Sequence, residues 1–133
     1  MSLSNKLERS LICEKVSERD FREIEKFADR LFAEVGIDVE FTRHFKERVN
    51  DARNITDITT EELVTLFKRS FAKYGDVLSK MGGGAEAVLH DARAQINLPF
   101  VIRWDRRNQE FDLIAKTVMR KKHFRSATKK LRF

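Results

Sequence analysis

His44 and Arg48 stand four residues apart, the spacing that puts two side chains on one face of a helix. Arg103, Lys116 and Arg120 fall on alternate positions of two neighbouring strand-like stretches, so strict alternation gives them a shared sheet face. Cleaving RNA without a metal needs a group to take the 2′-hydroxyl proton, an acid for the leaving oxygen, and cations for the charge that develops on phosphorus. In this set His44 would be the acid/base, and Arg48, Arg103, Lys116 and Arg120 would hold the phosphate. The same residues have plainer uses. Arg103 can pair with Asp112 across the strands, and His44 can be a helix-surface residue.

Other chemistries find less to stand on. The three histidines, His44, His90 and His123, lie far apart, and Cys13 is the single cysteine, so no metal or cofactor is expected. A restriction-type nuclease acid two residues before Lys116 is absent, since position 114 is Ile. Gly82-Gly83-Gly84 lacks the Lys-Ser/Thr of a phosphate-cradling loop and reads as a turn, and no Gly-x-Ser-x-Gly elbow occurs.

Charge points to a polyanion. The 133 residues carry a formal net charge of +6, but residues 1–60 sum to about −2 and residues 61–133 to about +8. From Lys116 onward come Arg120, Lys121, Lys122, Arg125, Lys129, Lys130 and Arg132, with no Asp or Glu among them. Clustered Lys and Arg displace the counterions condensed on phosphates, so nucleic acid is the expected partner, RNA before DNA, with an acidic protein as the competing one. A membrane is not, because the tail offers only Phe124, Leu131 and Phe133 for insertion. No run approaches the roughly 18 apolar residues of a membrane helix and no signal-peptide core is visible, so a cytoplasmic protein is expected. With 41% apolar and 36% charged residues there is material for one core under a solvated surface, and disorder throughout is excluded.

The elements that must position these residues can be read from caps and periods. Ser17 with Asp20 starts a helix through Phe21, Ile24, Phe27, Ala28, Leu31 and Val35, and Gly36 stops it. Met1–Val16 is ambiguous between helix and loose chain. Ile37–Thr42 alternates as a short strand, and Thr42 caps a short helix carrying His44 and Arg48. Thr59 and Glu62 form a capping box for a helix with Leu63, Leu66, Phe67, Phe71 and Tyr74 on one face, closed by Gly75. Beyond the three glycines, Ala85–Asp91, Leu98–Asp105 and Glu110–Arg120 read as strands. Both plausible loop lengths at Arg106–Gln109 give one register, with Trp104 opposite Phe111, Arg103 opposite Asp112 and Ile102 opposite Leu113. Helices followed by a three- to four-stranded antiparallel sheet make an α+β domain. Residues 1–36 read as an N-terminal helical extension, and 37–133 as the compact α+β part with a basic tail, within one domain overall.

A helix-borne His44-Phe45 followed by Arg48-Val49, then a capped helix and a basic three-stranded meander, resembles the barnase/EndoU/colicin/RelE-like superfamily of small ribonucleases. The run Asp112–Lys121 with Phe124 after it is similar to the closing strand of toxins from toxin–antitoxin modules. The blocks His44–Asn50, Ile58–Leu63, Asn97–Val101 and Lys116–Phe124 also look like short proteins of T4-like phages. The resemblance implies a metal-independent endoribonuclease that leaves a cyclic phosphate, and an acidic antitoxin-like partner. Its site would be His44, Lys116 and Arg120, with Thr117 beside them if a bulge turns it outward. Arg48, Arg103, Lys121, Lys122, Arg125, Lys129 and Lys130 would hold the nucleic acid. The family's tyrosine on the last strands is missing here. Two alternatives remain open: a non-catalytic nucleic-acid-binding phage protein, and a protein-interaction or virion component.

Overall fold

A computed structural model describes residues 15–133. Cys13 and nearly all of the ambiguous Met1–Val16 stretch lie outside them. Helix α1 (Glu18–Phe32) starts at the expected capping box: Ser17 Oγ accepts from Asp20 N at 3.1 Å, and Ser17 N donates to Asp20 Oδ2 at 3.3 Å. Its helical spacing buries Phe21, Ile24, Ala28 and Phe32. A 3₁₀ turn (Ala33–Val35) ends on Gly36, whose φ of 76° is the left-handed conformation that glycine adopts without strain.

Strand β1 (Ile37–Phe41) leads into helix α2 (Arg43–Val49), capped by Thr42 Oγ1 accepting from Phe45 N at 3.0 Å. Helix α3 (Thr60–Ser79) opens on the Thr59–Glu62 capping box. It does not close at Gly75. That residue sits buried inside the helix with the Phe71 ring where a side chain would be, and the helix runs one turn further.

Five more strands follow: β2 (Glu86–Asp91), β3 (Ile96–Asp105), β4 (Glu110–Ala115), β5 (Met119–Arg120) and β6 (Lys129–Arg132). The β3–β4 register is the expected one, Arg103 opposite Asp112 and Trp104 opposite Phe111. The turn between them is held by Asp105 Oδ1, which accepts from Arg107 N and Asn108 N. The α+β class is as the sequence indicates, but the sheet is mixed and six-stranded rather than an antiparallel sheet of three or four. Its order is β1-β4-β3-β2-β6, with β5 also on β3. The two outer strands cause the difference: β1 lies parallel to β4, and β6 parallel to β2. Both pairings join segments more than 30 residues apart, which no local pattern announces.

Helices α1 and α3 cover one face, where Phe32, Phe67, Leu89, Leu98, Phe100 and Leu113 share a single core with Phe45 of α2. Helix α1 is part of that core, so position 36/37 marks a change of element and not a packing boundary. Its carboxylates also block the sheet edge. Val39 N donates to Asp29 Oδ1 at 2.6 Å, and Phe41 N to Glu25 Oε2 at 2.8 Å, leaving no free ladder at β1 for another strand. Burial pushes the Asp29 carboxyl up to about 7, against the Val39 bond and with help from the neighbouring Asp38 and Glu25.

Candidate nucleic-acid interface

The sheet face away from the helices has two poles. Alternation and register put Asp38, Asp112 and Arg103 in one row, and Glu40, Ile114, Val101 and Glu86 in the next. Further along come Val88 with Lys130, then Asn97, His90 and Arg132. The β1–β4 corner is thus acidic and the β2–β6 corner basic. At the acidic corner, partial burial and the charges of Asp38, Asp112 and Asp105 raise the Glu110 carboxyl above its ordinary value. Between the poles the cations are taken. Arg103 reaches Glu40 and Asp112, each at 3.0 Å, and Lys116 reaches Glu86 at 2.8 Å.

The basic pole owes its shape to the chain path. Strands β5 and β6 lie on opposite sides of the β3–β2 pair, so residues 121–128 must cross the sheet. They cross on the outer face, where Asn97 Nδ2 donates to the carbonyls of Met119 (3.2 Å) and Lys121 (3.3 Å). With its NH₂ end held there, Asn97 turns Oδ1 to His90 Nδ1 at 2.6 Å, so Nδ1 carries the proton in neutral His90. Ser126 and Thr128 hydroxyls meet at 2.9 Å in the arch, and Lys130 Nζ donates to Phe124 O. Between arch and strand β6 lies a groove of about 390 Å³ lined by His90, Lys122, His123, Arg125, Lys130 and Arg132, with Phe124 as its aromatic wall. No carboxylate of the described residues lines it. The last residues anchor it: Phe133 N donates to His90 O (3.0 Å), Ala92 N to Phe133 O (2.9 Å), and Tyr74 Oη to Arg132 O (2.6 Å).

Arg120 is elsewhere. Ala115 and Val118 both face the helices, three residues apart instead of two or four, because residues 116–118 leave the strand and shift its alternation by one. Arg120, paired with core-facing Ile96, therefore points to the helix side, opposite Lys116 and Arg103. There its guanidinium is 10% exposed and donates to the carbonyls of Thr56, Asp57 and Ala94 and to Glu62 Oε1, beside a cleft of about 570 Å³. The shared basic face of Arg103, Lys116 and Arg120 is thus corrected: every Arg120 donor nitrogen is already used inside the fold.

Burial pushes the Glu62 carboxyl up, but its bonds from Arg120 and from the Thr59 backbone outweigh this and hold it below its ordinary value. Below pH ~5 the unfolded chain therefore binds more protons at Glu62 than the folded one, and the contribution is lost as pH falls through the folded value. Thermal unfolding of the wild type should lose stability below pH ~4.5 faster than Glu62→Gln, with parallel curves above pH ~6. Coincident acid limbs would contradict the assignment.

The remaining expected site residues are scattered. His44 is exposed on α2 and makes no hydrogen bond or ion pair among the described residues. Thr42 Oγ1 lies 3.0 Å from Lys116 O, which brings the start of α2 near Lys116 but not near Arg120. Arg48 is mostly buried and turns to Asp51 at 3.7 Å. Thr117 is half-buried in the strand break. Lys121 and Lys129 are exposed on the arch and on β6, whereas Lys122, Arg125 and Lys130 come together in the groove. His90, His123 and Arg132 were not among the expected site residues. Their only sequence signal is an acid-free neighbourhood for the last two, and His90 arrives through the parallel β2–β6 pairing. Comparison with protein-family models, curated proteins and solved structures finds no match for this chain.

Proposed function

We propose that this chain binds nucleic acid by its phosphate backbone, single-stranded RNA in preference to DNA, in the groove between the 121–128 arch and β6. One observation carries the reading: six basic side chains surround one groove with no carboxylate beside them, while the other outer-face cations, Arg103 and Lys116, are already paired. Phe124 adds a surface on which a base can stack, the usual companion of cations in single-strand grooves. Action in the cytoplasm goes with this reading, and no described helix is long and apolar enough to cross a membrane. The metal-independent endoribonuclease implied by the resemblance would need His44, Lys116 and Arg120 around one phosphate. Arg120 and Lys116 lie on opposite sheet faces, so the geometry favours binding over cleavage.

The test is labelled single-stranded RNA with the full chain in EDTA, run on native and denaturing gels beside single-stranded DNA and duplex RNA. We expect shifted, intact RNA, with log affinity falling against log salt with a slope of about −3 to −4 for four to six phosphates. RNA cleaved in EDTA by the wild type but not by His44→Ala would replace this reading with the endoribonuclease. Unshifted RNA would overturn it and favour an acidic protein as the groove's partner.

A further inference from the structure

Parallel pairing of β1 with β4 sets Asp38 directly beside Asp112, and alternation along β4 puts Glu110 on the same side. One oxygen of each of the three carboxylates lies within 4.8 Å of the others. Carboxylates gathered this closely repel unless a proton or a cation stands between them. The second observation concerns Asp112 itself. Its side chain is 4% exposed, and Oδ2 accepts from Arg103 at 3.0 Å, yet Oδ1 is buried with no hydrogen-bond partner. A buried carboxylate oxygen without a donor costs on the order of 1–3 kcal/mol or more, and native structures rarely leave one so. Arg103 does not supply the missing charge. It is 57% exposed, is divided between Asp112 and Glu40, and contacts the oxygen that is already satisfied.

We infer that Asp38, Glu110 and Asp112 form a binding site for one hard divalent cation, of the Mg²⁺ or Ca²⁺ kind, at the β1–β4 corner of the outer sheet face. The donor set fits that class. It is all carboxylate oxygen, with no imidazole or thiolate, which suits calcium, magnesium and manganese over zinc or copper. Asp38 and Glu110 are half-buried, so an ion can reach Asp112 from solvent past them and keep water on its open side. A cation there would also join β1 to the β3–β4 hairpin, which stabilises the folded chain in proportion to the occupancy of the site. The site lies at the opposite pole from the cationic groove and does not depend on nucleic-acid binding.

Mn²⁺ serves as the probe, because its free ion is counted directly by electron paramagnetic resonance. Titration of the full chain should show one saturable ion with a Kd of about 10⁻⁴–10⁻³ M, the range of sites with few protein ligands. Mg²⁺ or Ca²⁺ should displace it. Asp112→Asn keeps shape and an acceptor for Arg103 but removes a charge, and should weaken Mn²⁺ at least about tenfold. Glu110→Gln, at a half-buried strand end, should fold normally and show the same loss, so it decides the matter if Asp112→Asn is unstable. No saturable Mn²⁺ up to about 10 mM, or equal affinity in wild type and Glu110→Gln, would overturn the inference.

Discussion

Replacing Lys122, Arg125 and Lys130 together by alanine should weaken single-stranded RNA binding roughly 100-fold near 50 mM salt, as each lost phosphate contact removes on the order of 1 kcal/mol. The slope of log affinity against log salt should shrink by about 2, since about 0.7 of a counterion is released per single-strand phosphate. These side chains are exposed, and only the Lys130 bond to Phe124 O is lost with them, so the fold should survive. A charge-matched control separates a site from diffuse attraction. Arg106 and Arg107 are exposed at the β3–β4 turn near the acidic corner. Their double alanine variant removes two charges as well, yet should change affinity less than about threefold, in keeping with screening over roughly 10 Å. Equal losses in both variants, read by fluorescence anisotropy, would mean that net charge and not the groove attracts RNA.

Arg120→Met should destabilise the chain by about 3–5 kcal/mol, the usual result of removing one partner from a buried charge pair. The substitution leaves Glu62 without its cation and the carbonyls of Thr56, Asp57 and Ala94 without a donor. The 50–59 loop is also held by Arg120 N, which donates to Asn54 Oδ1 at 3.0 Å. For a domain of this size the midpoint should fall by roughly 10–20 °C. At a temperature where the variant is folded, its affinity for RNA should match the wild type. Calorimetry and binding together decide: an unchanged midpoint with lost binding would make Arg120 a phosphate ligand, against its place in the fold.

The sequence is most readable where structure is local. Ser17 with Asp20, Thr42 before Phe45, and Thr59 with Glu62 each satisfy backbone donors within three residues, so their helix starts are visible without a fold. The β3–β4 register is equally local, because facing pairs on either side of a short turn must agree. Gly75 misleads, since a glycine can end a helix or make room within one, and only the Phe71 ring tells which. The candidate site is less readable because three non-local events build it. The shift at residues 116–118 turns Arg120 inward, the β2–β6 pairing brings His90 to the basic arch, and the β1–β4 pairing brings Asp38 to Asp112. Composition located the basic segment; only the crossover made a groove of it.

The most direct test of the central claim is an amide chemical-shift titration of the ¹⁵N-labelled chain with a short oligouridylate at low salt. The groove predicts saturable shifts in residues 121–133 and at His90, with α2 and the Arg120 cleft unmoved. Shifts centred on His44 and Lys116, or on the cleft around Arg120, or none at all, would contradict it.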